Sequence, residues 1–216
     1  MKPIRVLVAD DHTLLRDGDL IKIGRTIFKF IASNNIEAAY HDEIYRLTTV
    51  DGLTQVNNRR SFDETIEREI SRCRRYGRTL SMVLIDIDRP SGRVQQLGAA
   101  AEARILEAMG RLLRGNTRAM DASCRLDDRL FGVLLSGVGL ATAHARMEGL
   151  RRQCASQIVV LDGQELGFSV SMGVASFPHT AASQPDLMTA CEAALASARA
   201  RGGNHLALAS IRFESP

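Results

Sequence analysis

Between residues 48 and 213 the apolar positions switch repeatedly between a helical period and runs typical of strands. Phe62, Ile66, Ile70 and Cys73 mark the inner face of a helix, and Leu80 to Asp88 (LSMVLIDID) reads as a central strand ending in two carboxylates. Gly98 to Leu113 is a helix with Ile105, Leu106, Met109, Leu112 and Leu113 inward. Two short strands follow, Ala122 to Leu126 and Arg129 to Leu135, joined by a turn at Asp127-Asp128. Leu140 to Cys154 reads as a helix, and Ile158 to Leu161 and Phe168 to Phe177 as strands around the turn at Asp162-Gly163. Pro185 to Arg201 places Leu187, Cys191, Leu195 and Ala198 on one helical face, stopped by Gly202-Gly203, and His205 to Phe213 is a last strand. The alternation predicts an α+β fold, a mostly antiparallel sheet covered by helices.

The first 49 residues have a different character. Ile4 to Ala9 reads as a strand followed by Asp10 and Asp11, and Asp19 to Ile31 carries strand chemistry around a break at Gly24. Ile36 to Leu47 is a helix signal capped by Asn34 or Asn35, with Ile36, Tyr40, Ile44 and Leu47 on one stripe. Such a connector either pairs with a second copy as a two-stranded coil or packs back on its own domain. Three parts follow: residues 1–31 without an independent core, a connector at 32–49, and a folded domain at 50–213.

Composition narrows the chemistry. At 45% hydrophobic and 25% charged the chain is an ordinary globular one, but with 5% aromatics and no Trp its core must come from aliphatic side chains. A net charge of +3 suits an anionic ligand and is too weak to imply nucleic acid. Cys73, Cys124, Cys154 and Cys191 lack metal-type spacing and sit in apolar patterns, as buried free thiols of a reducing cytoplasm do. No run is long and apolar enough to span a membrane.

Thr48 to Phe62 reads TTVDGLTQVNNRRSF, in which Asp51, Leu53, Thr54, Asn58, Arg59, Arg60 and Phe62 fit D-x-L-T-x-x-x-N-R-R-x-F. Ser61 and Glu64 have capping-box spacing for the next helix. This stretch resembles the opening of GGDEF domains, the diguanylate cyclase family. The resemblance extends through Phe213: FSVSMGVASFP and Arg199 to Asn204 resemble two further family motifs in the right order. It implies a five-stranded nucleotide-cyclase or ferredoxin-like palm flanked by helices. Met1 to Gly18 resembles the opening of a response-regulator receiver, and Asp19 to Ile31 the last strands of a forkhead-associated domain.

Members of the family join two GTP molecules into cyclic di-GMP, with carboxylates for magnesium and a tight glycine turn for the nucleotide. The resemblance puts the first metal carboxylate at Asp86. The signature Gly-Gly-Asp/Glu-Glu-Phe turn falls on Asp127-Asp128-Arg129-Leu130-Phe131, without either glycine, and Arg129 stands where the second metal carboxylate belongs. The guanine-reading asparagine falls on Val94, and the phosphate-binding lysine on Arg199. So many departures argue against catalysis, and Arg129 is expected to pair with Asp86. Magnesium is expected only if the protein is active, and no other cofactor.

Arg118 and Asp121 keep the spacing of the family's product-inhibition motif, R-x-x-D, relative to the turn. An arginine fork and a carboxylate suit a guanine edge or a phosphate. The resemblance implies that Arg72 joins them; the family's further helix position is Gly149, with Arg146, Arg151 and Arg152 close by. The expectation is a catalytically inactive, cytoplasmic cyclic di-GMP receptor. It would form a homodimer or bind a regulatory protein, without nucleic acid or membrane. An active diguanylate cyclase and a ligand-free dimerisation scaffold are the alternatives.

Overall fold

The computed structural model describes residues 16, 18–23, 26–30, 44–45, 48–88 and 96–212. The chain divides into two units, Met1–Thr48 and Thr49–Pro216. In the first, strands β1 (Leu20–Ile23) and β2 (Thr26–Lys29) pair antiparallel, Leu20 opposite Lys29. The single stretch of strand chemistry is therefore two paired strands, with Leu20, Ile27 and Phe28 exposed. Ile44 and Tyr45 are helical. The expected strand at 4–9 and most of the connector helix lie outside the described residues.

In the second unit a five-stranded sheet runs in the order β4-β5-β3-β8-β9. Its strands are β3 (Leu80–Ile87), β4 (Ala122–Arg125), β5 (Leu130–Ser136), β8 (Val170–Phe177) and β9 (Leu206–Leu208). Three of the four pairings are antiparallel and β8–β9 is parallel, as expected of a mostly antiparallel palm. Strand alternation sends the two sides of β3 into two cores. Leu80, Met82 and Leu84 pack under α1 (Arg59–Tyr76) and α4 (Gln184–Ala200). Val83, Ile85 and Ile87 pack under α2 (Ala99–Asn116) and α3 (Leu140–Ser156).

Local chemistry explains the element ends. Helix α1 is opened by Asn58, whose side chain accepts from the Ser61 N–H at 3.0 Å, and not by a Ser61–Glu64 capping box. Ser61 already lies inside the helix, and Glu64 instead pairs with Arg60 one turn back at 3.0 Å. Gly77 closes α1 in the left-handed region at φ 60°, which a side chain would disfavour. Ser183 caps α4 by accepting from the Asp186 N–H at 3.2 Å. One strand was missed by the apolar pattern: β7 (Gln164–Gly167) pairs with β6 (Ile158–Leu161), yet buries only Leu166.

Candidate functional site

Because β3 alternates, Asp86 continues the row of Leu80, Met82 and Leu84 and emerges beneath α4. Arg199, one turn beyond Leu195, reaches down to it. Its Nε and Nη2 stand 3.0 and 2.9 Å from Asp86 Oδ2. The expected Arg129–Asp86 pair does not form. Leu130, not Arg129, is the cross-strand neighbour of Asp86. Arg129 sits in the turn ahead, where its carbonyl accepts from the Ile87 N–H at 3.1 Å. Burial pushes the Asp86 carboxyl above the usual carboxylate range; the charges of Arg199 and then Arg129 pull the other way.

Two residues on, both oxygens of Asp88 are engaged by protein donors. It accepts from the hydroxyls of Ser169 and Ser171 at 2.6 Å each and from the Asn204 N–H at 2.8 Å. Among the described residues, no three side chains of metal-binding type converge.

The turn between β4 and β5 is braced from within. The Leu126 and Asp127 N–H groups both donate to the Leu130 carbonyl, at 2.8 and 3.1 Å, and Asp127 Oδ1 accepts from the Asp128 N–H at 2.8 Å. Arg125 donates to the Asp128 carbonyl at 2.9 Å and pairs with Asp51 at 3.3 Å. Arg59 donates to the Leu126 carbonyl at 3.0 Å. Burial raises the Asp51 carboxyl, but the Thr54 hydroxyl and N–H, with Arg125, outweigh it and hold it below its usual range. The motif residues Asp51, Thr54 and Arg59 thus act here as a frame for the turn, while Asn58 caps α1. Of the turn itself, Asp127 and Asp128 are exposed, Leu130 is half-buried and Phe131 lies in the core.

The second constellation sits on the loop between α2 and β4. Arg118 is exposed, and its side chain has no hydrogen-bond or ion-pair partner among the described residues. Its backbone is locked to Asp121 in both directions. The Arg118 N–H donates to Asp121 Oδ2 at 3.0 Å, and the Asp121 N–H to the Arg118 carbonyl at 2.9 Å. The Asp121 side chain has 0% exposure, because Arg146 of α3 covers it with Nη2 2.7 Å from Oδ2. The same Nη2 donates to the Asn116 carbonyl at 3.2 Å. Asp121 Oδ1 and Arg146 Nη1 are buried with no partner. Arg146 is the residue that sequence reasoning under-weighted: it was visible only as a neighbour of Gly149. Arg72 stays on α1 with Glu69 at 2.7 Å, and no described hydrogen bond or ion pair joins it to the loop.

Further along α3, Glu148 receives Arg151 side-on at 2.8 and 2.6 Å, and Arg152 at 3.0 Å. Arg151 also holds Asn204 Oδ1 at 2.6 Å, which ties α3 to the loop that caps Asp88. The Arg151 hydrogen bonds hold the Glu148 carboxyl down at about 2, against 4.5 for a free one. A depressed carboxylate contributes stability above its unfolded value and loses it as pH falls through its folded one. Between pH 4.5 and about 2, the urea midpoint of the native protein is expected to fall more steeply than that of Glu148→Gln.

A sequence profile of the family described as "Diguanylate cyclase, GGDEF domain" matches residues 48–205. "Diguanylate cyclase A" of Treponema denticola is 25% identical over 187 residues, covering 85% of this chain and 50% of that protein. The chain spans half or less of the length of the curated relatives it matches. Among solved structures, the coiled coil and GGDEF domain of DgcB from Caulobacter crescentus, in complex with c-di-GMP, superposes with a TM-score of 0.74 at 20% identity, covering 80% of this chain and 92% of that one. Diguanylate cyclase SiaD from Pseudomonas aeruginosa, in complex with its activator SiaC, gives 0.72 at 22% identity, covering 81% and 66%. At these identities the two structures share the fold.

Proposed function

The chain belongs to the GGDEF domain family of diguanylate cyclases, and on that premise we propose that it is a catalytically inactive member. In this reading it binds cyclic di-GMP through Arg118 and Asp121 and passes the signal to a second copy or to another protein. One observation carries the loss of catalysis: the carboxylate that would hold the metal, Asp86, is engaged by Arg199 at 2.9 Å. The residues present do not fit a magnesium ion. A hard divalent cation needs several oxygen ligands. Here Asp86 faces a guanidinium, Asp88 is spent on three protein donors, and Arg129 brings positive charge to the second ligand position. The turn adds Asp127 and Asp128 where nucleotide phosphates would approach.

The receptor half of the reading rests on Arg118. Its guanidinium is exposed on a loop whose backbone is fixed by two hydrogen bonds, so a planar donor fork is presented from a rigid base. DgcB, captured with c-di-GMP, has the same fold, and SiaD with SiaC provides a related fold bound to a protein. A ligand-free scaffold is the second reading, favoured by the complete burial of the Asp121 side chain.

Two measurements test the proposal together. Incubation with GTP and magnesium is expected to give no cyclic di-GMP; multiple turnovers overturn the inactive reading. Calorimetric titration with cyclic di-GMP is expected to give heat with native protein and about tenfold or greater weakening in Arg118→Ala, the loss of a charge-assisted fork. Equal binding by the variant takes Arg118 out of the site, and no heat with native protein leaves the scaffold unless the Arg146 cover over Asp121 is what keeps the ligand out.

A further inference from the structure

Arg146 has no part in the turn or in the metal position, and it does not occupy the helix position that the family resemblance singles out. Yet it makes the shortest polar contact of the Arg118 loop. Its Nη2 bridges Asp121 Oδ2 at 2.7 Å and the Asn116 carbonyl at 3.2 Å, so it spans the C-terminal end of α2 and the loop after it. The contact is end-on rather than side-on. One nitrogen meets one oxygen, and the other nitrogen and the other oxygen, Nη1 and Oδ1, are buried without partners.

This geometry has two consequences. A fully buried carboxylate cannot meet an external ligand while Arg146 lies over it. The closed arrangement is also incompletely satisfied, because each buried polar atom without a partner costs free energy. Such a contact is held less firmly than a bidentate one. A ligand edge that donates an N–H would supply what Asp121 Oδ1 lacks.

We propose that Arg146 is a latch on Asp121: it occupies the carboxylate when no ligand is bound and must release it before a ligand reaches that residue. The latch rests on the receptor reading above. Arg146 thereby sets the apparent affinity of the loop, since a site that is open only a fraction of the time binds more weakly by that fraction.

Calorimetric titration with cyclic di-GMP of native protein, Arg146→Lys, Arg146→Met and Arg118→Ala is the test. A lysine keeps one charged nitrogen for Asp121 but is more strongly hydrated than a guanidinium and so holds it less firmly, and methionine cannot hold it at all. The expected order of affinity is Met above Lys above native, with a gain of about tenfold for Arg146→Met. Equal affinities, or a decrease that tracks loss of the guanidinium, overturn the latch while leaving the receptor intact. Absence of binding by native protein together with binding by Arg146→Met supports the latch most strongly. Absence of binding by both defeats the receptor reading and the latch together. Arg146→Lys keeps the charge over buried Asp121, so the comparison survives if Arg146→Met does not fold.

Discussion

Gly173→Ala is expected to destabilise the domain by about 3 kcal/mol or more, because overpacking at a rigid backbone contact has no side chain that can yield. Gly173 lies in the middle of β8, paired with Leu84 of β3 on one side and Ala207 of β9 on the other. Helix α4 crosses directly over it. A methyl group there would overlap the Cys191 carbonyl oxygen and the Leu195 nitrogen, and would stand 2.9 Å from the Leu195 Cα. The helix cannot simply lift, because Cys191 Sγ donates to the Gly173 carbonyl at 3.0 Å and Leu187, Ala194, Leu195 and Ala198 are packed into the same core. Lifting α4 would also carry Arg199 away from Asp86. Gly149 is the control: it lies inside α3 with nothing near the place of a Cβ, so Gly149→Ala is expected to stabilise by about 0.5–1 kcal/mol. Urea denaturation of the two variants beside native protein checks both signs. A Gly173→Ala midpoint equal to native would mean that the packing of α4 on the sheet is looser than the backbone contact implies.

How much of this was legible in the sequence depended on whether the information was local. The apolar run of β3 and the stripes of α1, α2 and α4 reveal themselves by period, and they fix the sheet and its two cores. Strand β7 escaped because three of its four residues are exposed, so no period marks it. The site was legible in its residue types and illegible in its pairings. Arg129 stood in the motif position of a metal ligand and suggested itself as the partner of Asp86. Cross-strand register instead opposes Leu130 to Asp86, and the guanidinium arrives from Arg199, 113 residues away. The Asp121–Arg146 contact is similar: 25 residues separate the partners, and no local spacing rule links a loop carboxylate to the side of the next helix. The capping of α1 failed for a smaller reason. Asn58 and Ser61 are both good caps, and only the point at which the chain turns helical decides between them.

Asp121→Ala is expected to cost about 3–5 kcal/mol of stability, the usual penalty for removing one partner of a buried ion pair. The Asp121 side chain is wholly buried, and the Arg146 side chain is only 18% exposed. Truncation therefore leaves a guanidinium under the loop with the Asn116 carbonyl as its remaining acceptor, and frees the Arg118 N–H that Oδ2 had accepted. Asp121→Asn keeps the shape and an acceptor oxygen and loses the charge, so its cost is expected to be smaller, about 1–3 kcal/mol. Arg118→Ala is expected to stay within about 0.5 kcal/mol of native, as an exposed side chain without a described partner should. Chemical denaturation of the three variants gives the order, and equal stabilities for Asp121→Ala and Arg118→Ala would show that the buried pair is not formed in solution. The order also decides which residue can report on ligand binding. A loss of cyclic di-GMP binding in Asp121→Ala would follow from a disordered loop as readily as from a lost contact. The same loss in Arg118→Ala, with stability unchanged, would isolate the contact itself. Arg118 is therefore the position at which recognition can be measured, and Asp121 the position at which the loop is built.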